Sequence, residues 1–265
     1  MANMSRNDRA NKILEIVAKR GTLDVATVAK LMGVSAATIR RDFDELANHQ
    51  HVTRTHGGVN AVGKAYDLPI RYRTVKDSRG KHRIAKVAAA MIHRGDRIGM
   101  NGGTTTTELG RELSRAHRLF AENGDIGLTV VTNAVNIATE MVIRPHIKIV
   151  VTGGVARPQS YELIGDFAAA LLEGLVLDVA FIGVDGVDSV VGATANHEGE
   201  AVVDRLIADA AKKVVVLATL DKLGQQAFAR ILKPDKISTL LTDEPVEPDM
   251  RKAFEDQGVE VVVCG

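Results

Sequence analysis

From Arg97 onward the chain repeats one theme: a short aliphatic run ends in glycine, threonine, asparagine or aspartate, and a helical pattern follows. The runs are RIGMNGGTTTTELGREL, LTVVTNAVNIATEM, IKIVVTGGVARP, VAFIGVDGVD, KVVVLATLDKLG and ISTLLTDEP, the last leading through MRKAFEDQG to VEVVV. Strands that alternate with helices are joined by crossovers, which make neighbouring strands parallel and cover both faces of the sheet. This half is therefore expected to be a mainly parallel α/β sheet. In such sheets ligands bind outside the carboxyl ends of the strands, so the turns that follow the strands are where function is sought. An aromatic content of 3% also argues against an all-β sandwich or a stacking surface for single-stranded nucleic acid.

The first of these turns is the most unusual. After RIGMN come Gly102 and Gly103, then four threonines, Thr104 to Thr107, where a helix begins. Threonine suits a helix interior poorly, because its branched Cβ loses rotamers and its hydroxyl competes for backbone groups. At a helix start the same residues make sense. The first amides have no partner within the helix, the dipole favours an anion there, and hydroxyls add donors. The turn reads as a phosphate cradle made from Asn101, Gly102, Gly103, Thr104, Thr105 and Thr106; a plain threonine cap followed by buried threonines is the other reading. No GxxxxGK[ST] is present and no GxGxxG opens this helix, so a small phosphorylated ligand fits better than a dinucleotide. Other strand ends offer Asn133, Gly153 and Gly154 for close approach, Asp185 and Asp188 as acceptors for hydroxyls, and Lys222 as a point charge for phosphate. Taken singly, each also reads as a cap, a turn or a solvated surface group.

The N-terminal part has a different character. Between Met1 and Arg97, 19 Lys and Arg stand against 9 Asp and Glu, a balance of +10, while the remaining 15 against 24 leave −9. A basic part of this kind is suited to meeting an anion. RNDRANKILEIVAKRG places Ile13, Leu14, Ile16 and Val17 at helical spacing before Gly21. TLDVATVAKLMG follows, with Val25, Val28, Ala29 and Leu31 read as one face and Gly33 as the turn. In SAATIRRDFDELANHQ, Ser35 is a candidate N-cap, and Ile39, Phe43 and Leu46 form the buried stripe. Ser35, Ala36, Thr38, Arg40 and Arg41 lie off that stripe near the helix start, where a recognition helix meets base edges. HVTRTHGGVNAV then reads as a β-hairpin turning at Gly57-Gly58, a basic wing that brings Arg54 and His56 to phosphates or the minor groove. His49, His51 and His56 lack the cysteines or carboxylates that would complete a metal site and are read as wing or surface residues.

At 265 residues, two domains are expected: a winged helix-turn-helix over 1–62, a Lys- and Arg-rich linker over 63–80, and the α/β domain over 81–265. Cys264 is the only cysteine, so no disulfide forms within one chain. No signal peptide or membrane-length apolar run is visible, and the reading is cytoplasmic. No cofactor is implied.

SAATIRRDFDEL followed by VTRTHGG resembles the winged helix-turn-helix of the DeoR family of bacterial regulators of sugar metabolism. The match runs through Ser35, Thr38, Ile39, Arg40, Arg41, Asp42, Leu46, Arg54, His56, Gly57 and Gly58. From about Lys81 to Ile231 the chain is similar to that family's sensor domain, through GGTTT, VVTN, TGG, FIGVDGVD and DKLG. The resemblance implies the fold of ribose-5-phosphate isomerases, double-stranded operator DNA and a phosphorylated sugar effector as partners, and repression as the sign of control. Family members usually carry an acidic residue where Asn101 stands, and commonly serine where Asp221 stands. A homo-oligomer, dimer or tetramer, follows from the need to occupy paired half-sites. The rival is a sugar-phosphate isomerase with a fused DNA-binding domain. Asp185 and Asp188 resemble isomerase aspartates and His197, Glu198 or Glu200 are acid-base candidates, but GATANHEGE stands where the isomerase has Lys-Gly-Gly.

Overall fold

The computed structural model describes residues 6–48, 52–61, 78–120 and 125–265. The chain divides into two compact units, Met1–Lys76 and Asp77–Gly265. His49, His51 and the linker residues 63–77 lie outside the described residues.

The first unit runs α1 (Arg6–Arg20), β1 (Thr22–Asp24), α2 (Val25–Met32), α3 (Ala36–Asn48), β2 (Val52–Thr55) and β3 (Gly58–Ala61). Its helix ends are set by side-chain caps and glycine. Asp24 Oδ1 accepts Thr27 N–H at 2.8 Å at the start of α2. Gly33, at φ 65°, ends the helix in the left-handed conformation. Ser35 Oγ accepts Thr38 N–H at 3.1 Å and opens α3. Ile13, Leu14, Val17, Val28, Ile39, Phe43, Leu46, Val52 and Val59 form the core. Leu31, expected on the buried face of α2, is 59% exposed. Ala29 and Met32 continue the Val25/Val28 stripe instead and pack against that core, which turns Leu31 to the other side of the helix.

The sheet of this unit has three strands in the order β1-β3-β2, all antiparallel. β1 is absent from the sequence reading, in which Thr22–Asp24 belongs to the second helical pattern. The hairpin turns one residue earlier than expected, at His56-Gly57, and Gly58 is already in β3. A Cβ on Gly58 would stand 2.1 Å from Leu23 O, so only glycine lets β1 and β3 close.

A buried ion pair ties α1 to α3: Arg9 Nε and Nη2 donate to Asp42 at 2.5 and 3.0 Å. Asp42 is buried and the Arg9 side chain 12% exposed. Asp42→Asn is expected to lower stability by about 2 kcal/mol, less than a fully enclosed pair would lose, because Arg9 keeps an edge in water. Urea titration of the full chain checks this; an unchanged first transition would show that the pair contributes nothing net.

The second unit opens with α4 (Ser78–Ala90), which begins inside the stretch read as linker. Its main sheet comprises β4 (Arg97–Met100), β5 (Leu128–Thr132), β6 (Ile147–Val151), β9 (Val179–Gly183), β12 (Val214–Leu217), β14 (Thr239–Thr242) and β15 (Glu260–Val263). They stand in the order β15-β14-β12-β9-β4-β5-β6, every pair parallel. Strand alternation splits the core in two. Phe181, Val215 and Leu217 face α4, α5 (Thr104–Ser114) and α6 (Val135–Met141). Ala180, Ile182, Val214 and Val216 face α7 (Phe167–Leu172), α8 (Glu198–Asp209) and α9 (Pro248–Glu255).

The strand-then-helix theme holds after β4, β5 and β14 but fails elsewhere. After β6 the chain makes the hairpin β7 (Val155–Ala156) and β8 (Leu163–Ile164); after β9 it enters a small sheet, β10 (Gly186–Asp188), β11 (Gly192–Ala195) and β13 (Ala229–Leu232). After β12 it makes one 3-10 turn, Leu220–Lys222. Gly153 and Gly154, at φ 79° and 130°, turn the chain back instead of starting a helix. A Cβ on Gly154 would fall 2.6 Å from Ile164 O in the paired strand.

Strand order reverses at β4. Its successors β5 and β6 lie to one side and β9 and β12 to the other, so the crevice outside the β4 and β9 carboxyl ends is the switch point where such sheets bind ligands.

Candidate functional site

Ser35, just before α3, and Arg40 and Arg41 on it are exposed, and Thr38 is partly so. Ser35 also bonds Thr38 Oγ1 at 2.9 Å, which holds the first turn rigid. Ala36 packs against the core and contributes position more than contact. In the wing, His56 is exposed at the turn. Arg54 is not loose: Nε pairs with Asp44 at 2.9 Å, Nη1 donates to Gly58 O at 3.1 Å, and the guanidinium lies 5.8 Å from the Phe43 ring centre. These contacts aim the wing arginine from the same helix that carries Arg40 and Arg41.

At the switch point of the parallel sheet, Gly103 precedes α5 with φ 133°, a conformation that glycine adopts freely, and no side chain caps the helix. Its first amides are thus open to an anion. The threonines divide in their roles. Thr106 Oγ1 and Thr107 Oγ1 donate to Gly103 O at 3.1 and 2.6 Å, so the Thr106 hydroxyl, expected at the ligand, is spent on the helix itself. Thr105 Oγ1 is buried without a partner.

Asn101, expected at the ligand, has a structural set of partners. Its amide donates to Gly183 O at 2.9 Å and to Asp204 Oδ2 at 2.7 Å, and its oxygen accepts Gly183 N–H at 2.8 Å. Both N–H groups are committed, so Asn101 fastens β4 to β9 and carries no free donor for a ligand. Asp188 Oδ1 accepts Val190 N–H and Val191 N–H, both at 2.9 Å, and serves the turn after β10. Asp185 accepts Asn196 N–H at 2.9 Å and stays part-exposed beside the crevice. Lys222 Nζ donates to Val184 O, which places its charge at the end of β9. Gly153 and Gly154 line the end of β6 part-exposed, and Asn133 is fully buried with its amide on Asp204 at 3.3 Å.

Two residues of this site escape sequence reasoning. Glu162 Oε1 accepts Gly102 N–H at 2.6 Å, filling the first amide of the cradle. It is delivered by Tyr161, a non-glycine residue at φ 61°, in a loop bonded to the β5–α6 turn through Val135 N–H to Tyr161 O and Leu163 N–H to Asn133 O. Asp204, on α8, is 2% exposed. Burial pushes both carboxyls well above the usual range; Asp204 and Glu200 add to this at Glu162, while the Asn101 amide opposes it at Asp204. A carboxylate on the buried Ala201/Ala208 stripe of α8 was the one available signal for Asp204; SYELIG gave none for Glu162.

The acid-base candidates of the isomerase reading are placed for structure. His197 Nδ1 accepts Gly199 N–H at 3.1 Å as the cap of α8, Glu198 is exposed, and Glu200 faces Arg157 at 3.3 Å. Among the described residues, no cluster of His, Cys, Asp or Glu could hold a metal ion, and no helix is long and apolar enough to cross a membrane.

Comparison with known proteins decides between the readings. A sequence model of the DeoR C terminal sensor domain matches residues 76–244, and one of the DeoR-like helix-turn-helix domain matches residues 9–64. The chain belongs to the DeoR family. Similar DeoR-family members include the HTH-type transcriptional regulator GlpR of Haloferax volcanii, 31% identical, with 96% of each chain covered. The glycerol-3-phosphate regulon repressor of Escherichia coli K12 is 25% identical, covering 98% of this chain and all of that one. The putative aga operon transcriptional repressor of E. coli O157:H7 is 27% identical, covering 98% and 94%. Among solved structures, ribose 5-phosphate isomerase A from Methanocaldococcus jannaschii is 20% identical over 56% of this chain and 55% of that one, with a TM-score of 0.41. This DeoR-family chain is a DNA-binding transcriptional regulator and not an isomerase.

Proposed function

We propose that this DeoR-family regulator is a cytoplasmic repressor of carbohydrate-metabolism genes that leaves its operator when a phosphorylated sugar fills the crevice at the start of α5. The observation that carries this reading is the uncapped start of α5, with Gly103 at φ 133° and Thr105 Oγ1 unpaired, at the switch point of the sheet. Phosphate oxygens satisfy the open amides and the hydroxyl together. Asn133 and Asp185 accept from sugar hydroxyls, and Lys222 adds charge at the rim. Two or more copies place α3 on repeated half-sites, with Ser35, Ala36, Thr38, Arg40 and Arg41 at the major groove and Arg54 and His56 on the backbone. Release requires only that the ligand bind the weakly DNA-binding arrangement better than the other.

The test is fluorescence anisotropy of the protein on DNA from its own upstream region, titrated with sugar phosphates and the matching free sugars. One phosphorylated compound should release the DNA while its free sugar does not; indifference to every compound would end the proposal. Thr105→Val, which keeps shape and removes the hydroxyl, should raise the concentration needed for release about tenfold and leave DNA affinity unchanged.

A further inference from the structure

The acids of α3 each take an arginine from elsewhere in the unit. Asp42 holds Arg9 and Glu45 holds Arg6, both from α1, whereas Asp44 Oδ1 holds Arg54 Nε of the wing at 2.9 Å. The buried stripe of α3 runs through Ile39, Asp42, Phe43 and Leu46, so Asp44 stands one turn beyond Arg40 and Arg41 on the opposite, exposed face. A carboxylate on that face repels a polyanion. The Asp44 side chain is 59% exposed and that of Arg54 35%, and an ion pair so open to water contributes little to stability. What the pair does is fix the arginine. Nε lies on Asp44, Nη1 donates to Gly58 O at 3.1 Å, and the guanidinium is 5.8 Å from the Phe43 ring centre. The Nη2 end of the fork is left for DNA.

We propose that Asp44 is a specificity-determining residue of the DNA-binding unit: it holds Arg54 in the posture that suits a correctly seated duplex and opposes duplexes seated otherwise. The inference rests on the reading of α3 and the wing given above. On a correctly seated duplex, a backbone phosphate meets the Nη2 end of an arginine already in place, so little side-chain freedom is lost on binding. The guanidinium then stands between that phosphate and Asp44. On a duplex in another alignment, phosphates approach the uncovered side of the carboxylate and meet like charge, which raises the free energy of that complex above the first. Non-specific binding is nearly all phosphate attraction, so one carboxylate on this face weighs most where base contacts are missing. Asp44 thus lowers the total attraction to DNA and raises the preference for one sequence.

The experiment uses the full-length protein and two duplexes: one that the unaltered protein enriches from a random pool, and a shuffled duplex of the same composition. Anisotropy is followed across a salt series. Asp44→Ala should bind the shuffled duplex about threefold or more tightly, with a salt slope steeper by about one, because Arg54 is freed for any phosphate. On the enriched duplex the lost repulsion and the lost posture offset one another, and affinity should change by less than about twofold. The ratio of the two affinities therefore falls. Asp44→Asn, which keeps an acceptor for Nε, should lower the ratio less. In an Arg54→Ala background, Asp44→Ala should tighten both duplexes by one factor and leave the ratio where Arg54→Ala put it. A gain on the wrong DNA that depends on Arg54 is not produced by loss of a merely structural contact. The proposal is overturned if Asp44→Ala tightens both duplexes alike while Arg54 is present, if neither affinity moves, or if the ratio still falls without Arg54. If the unaltered protein enriches no duplex, or Arg54→Ala changes neither affinity, the reading of α3 and the wing has failed and this inference falls with it.

Discussion

Asn101→Asp lowers the unfolding free energy by about 3–5 kcal/mol, although an acidic residue there is what the DeoR resemblance leads one to expect. Asn101 places an N–H group 2.7 Å from Asp204 Oδ2 and another 2.9 Å from Gly183 O. Aspartate replaces those donors by oxygen, so a buried carboxylate meets another and the Gly183 carbonyl loses its donor. The pair survives by sharing a proton, which raises its folded pKa above the unfolded value. A group raised in this way is destabilising at high pH, and the penalty shrinks as pH falls through the folded value. Urea titrations at several pH values check both size and sign. Asp204→Asn in the same chain returns a donor to the pair and should recover most of the loss, giving a coupling well beyond additivity. If the single change were silent, Asn101 would not be the clamp between β4 and β9. The chain keeps one carboxylate at this seam but carries it on α8.

Arg41→Ala weakens operator binding by about 1–3 kcal/mol for each half-site occupied, and a two-copy complex feels the loss twice. Arg41 is exposed near the start of α3, one residue past Arg40, while Asp42 behind it is locked to Arg9. The substitution thus removes reach without loosening the helix. Anisotropy across a salt series separates the two ways an arginine can act. Loss of a phosphate contact lowers the salt slope by about one for each contact, whereas loss of a base contact relaxes discrimination between operator and unrelated DNA. Ligand affinity of the sensor should stay unchanged. A parallel fall in ligand affinity would contradict the division of labour between the two units.

The helix-turn-helix was legible because its punctuation is local: Gly21, Gly33, Ser35 and Gly57 act within a few residues of themselves. What was not legible there is long-range. β1 spans only Thr22–Asp24 and exists because Gly58, far along the chain, lets it close; Asp42 matters because Arg9 reaches it from 33 positions away. In the sensor the aliphatic runs announced the sheet strands, but glycine-rich turns after β6 and β9 look alike whether a helix or a hairpin follows. The turn residues came to the switch point because topology puts strand ends together. Asn101, Thr106 and Asp188 nevertheless have structural duties that only their partners reveal. Glu162 and Asp204 reach Gly102 and Asn101 across 60 and 103 positions, and no local pattern encodes such a meeting.

The order of strands in the sensor also dictates a timetable. β4 cannot pair on one side until β9 exists, and Arg97, at the start of β4, must find Asp178, 81 positions later. The Arg6–Ala61 unit closes over far shorter distances. Contacts of long separation form slowly, and during synthesis early segments fold first. On the ribosome, therefore, the DNA-reading unit matures while the sensor is still an open set of sticky strands. Chains stalled at this stage would carry a folded helix-turn-helix unit and no folded sensor.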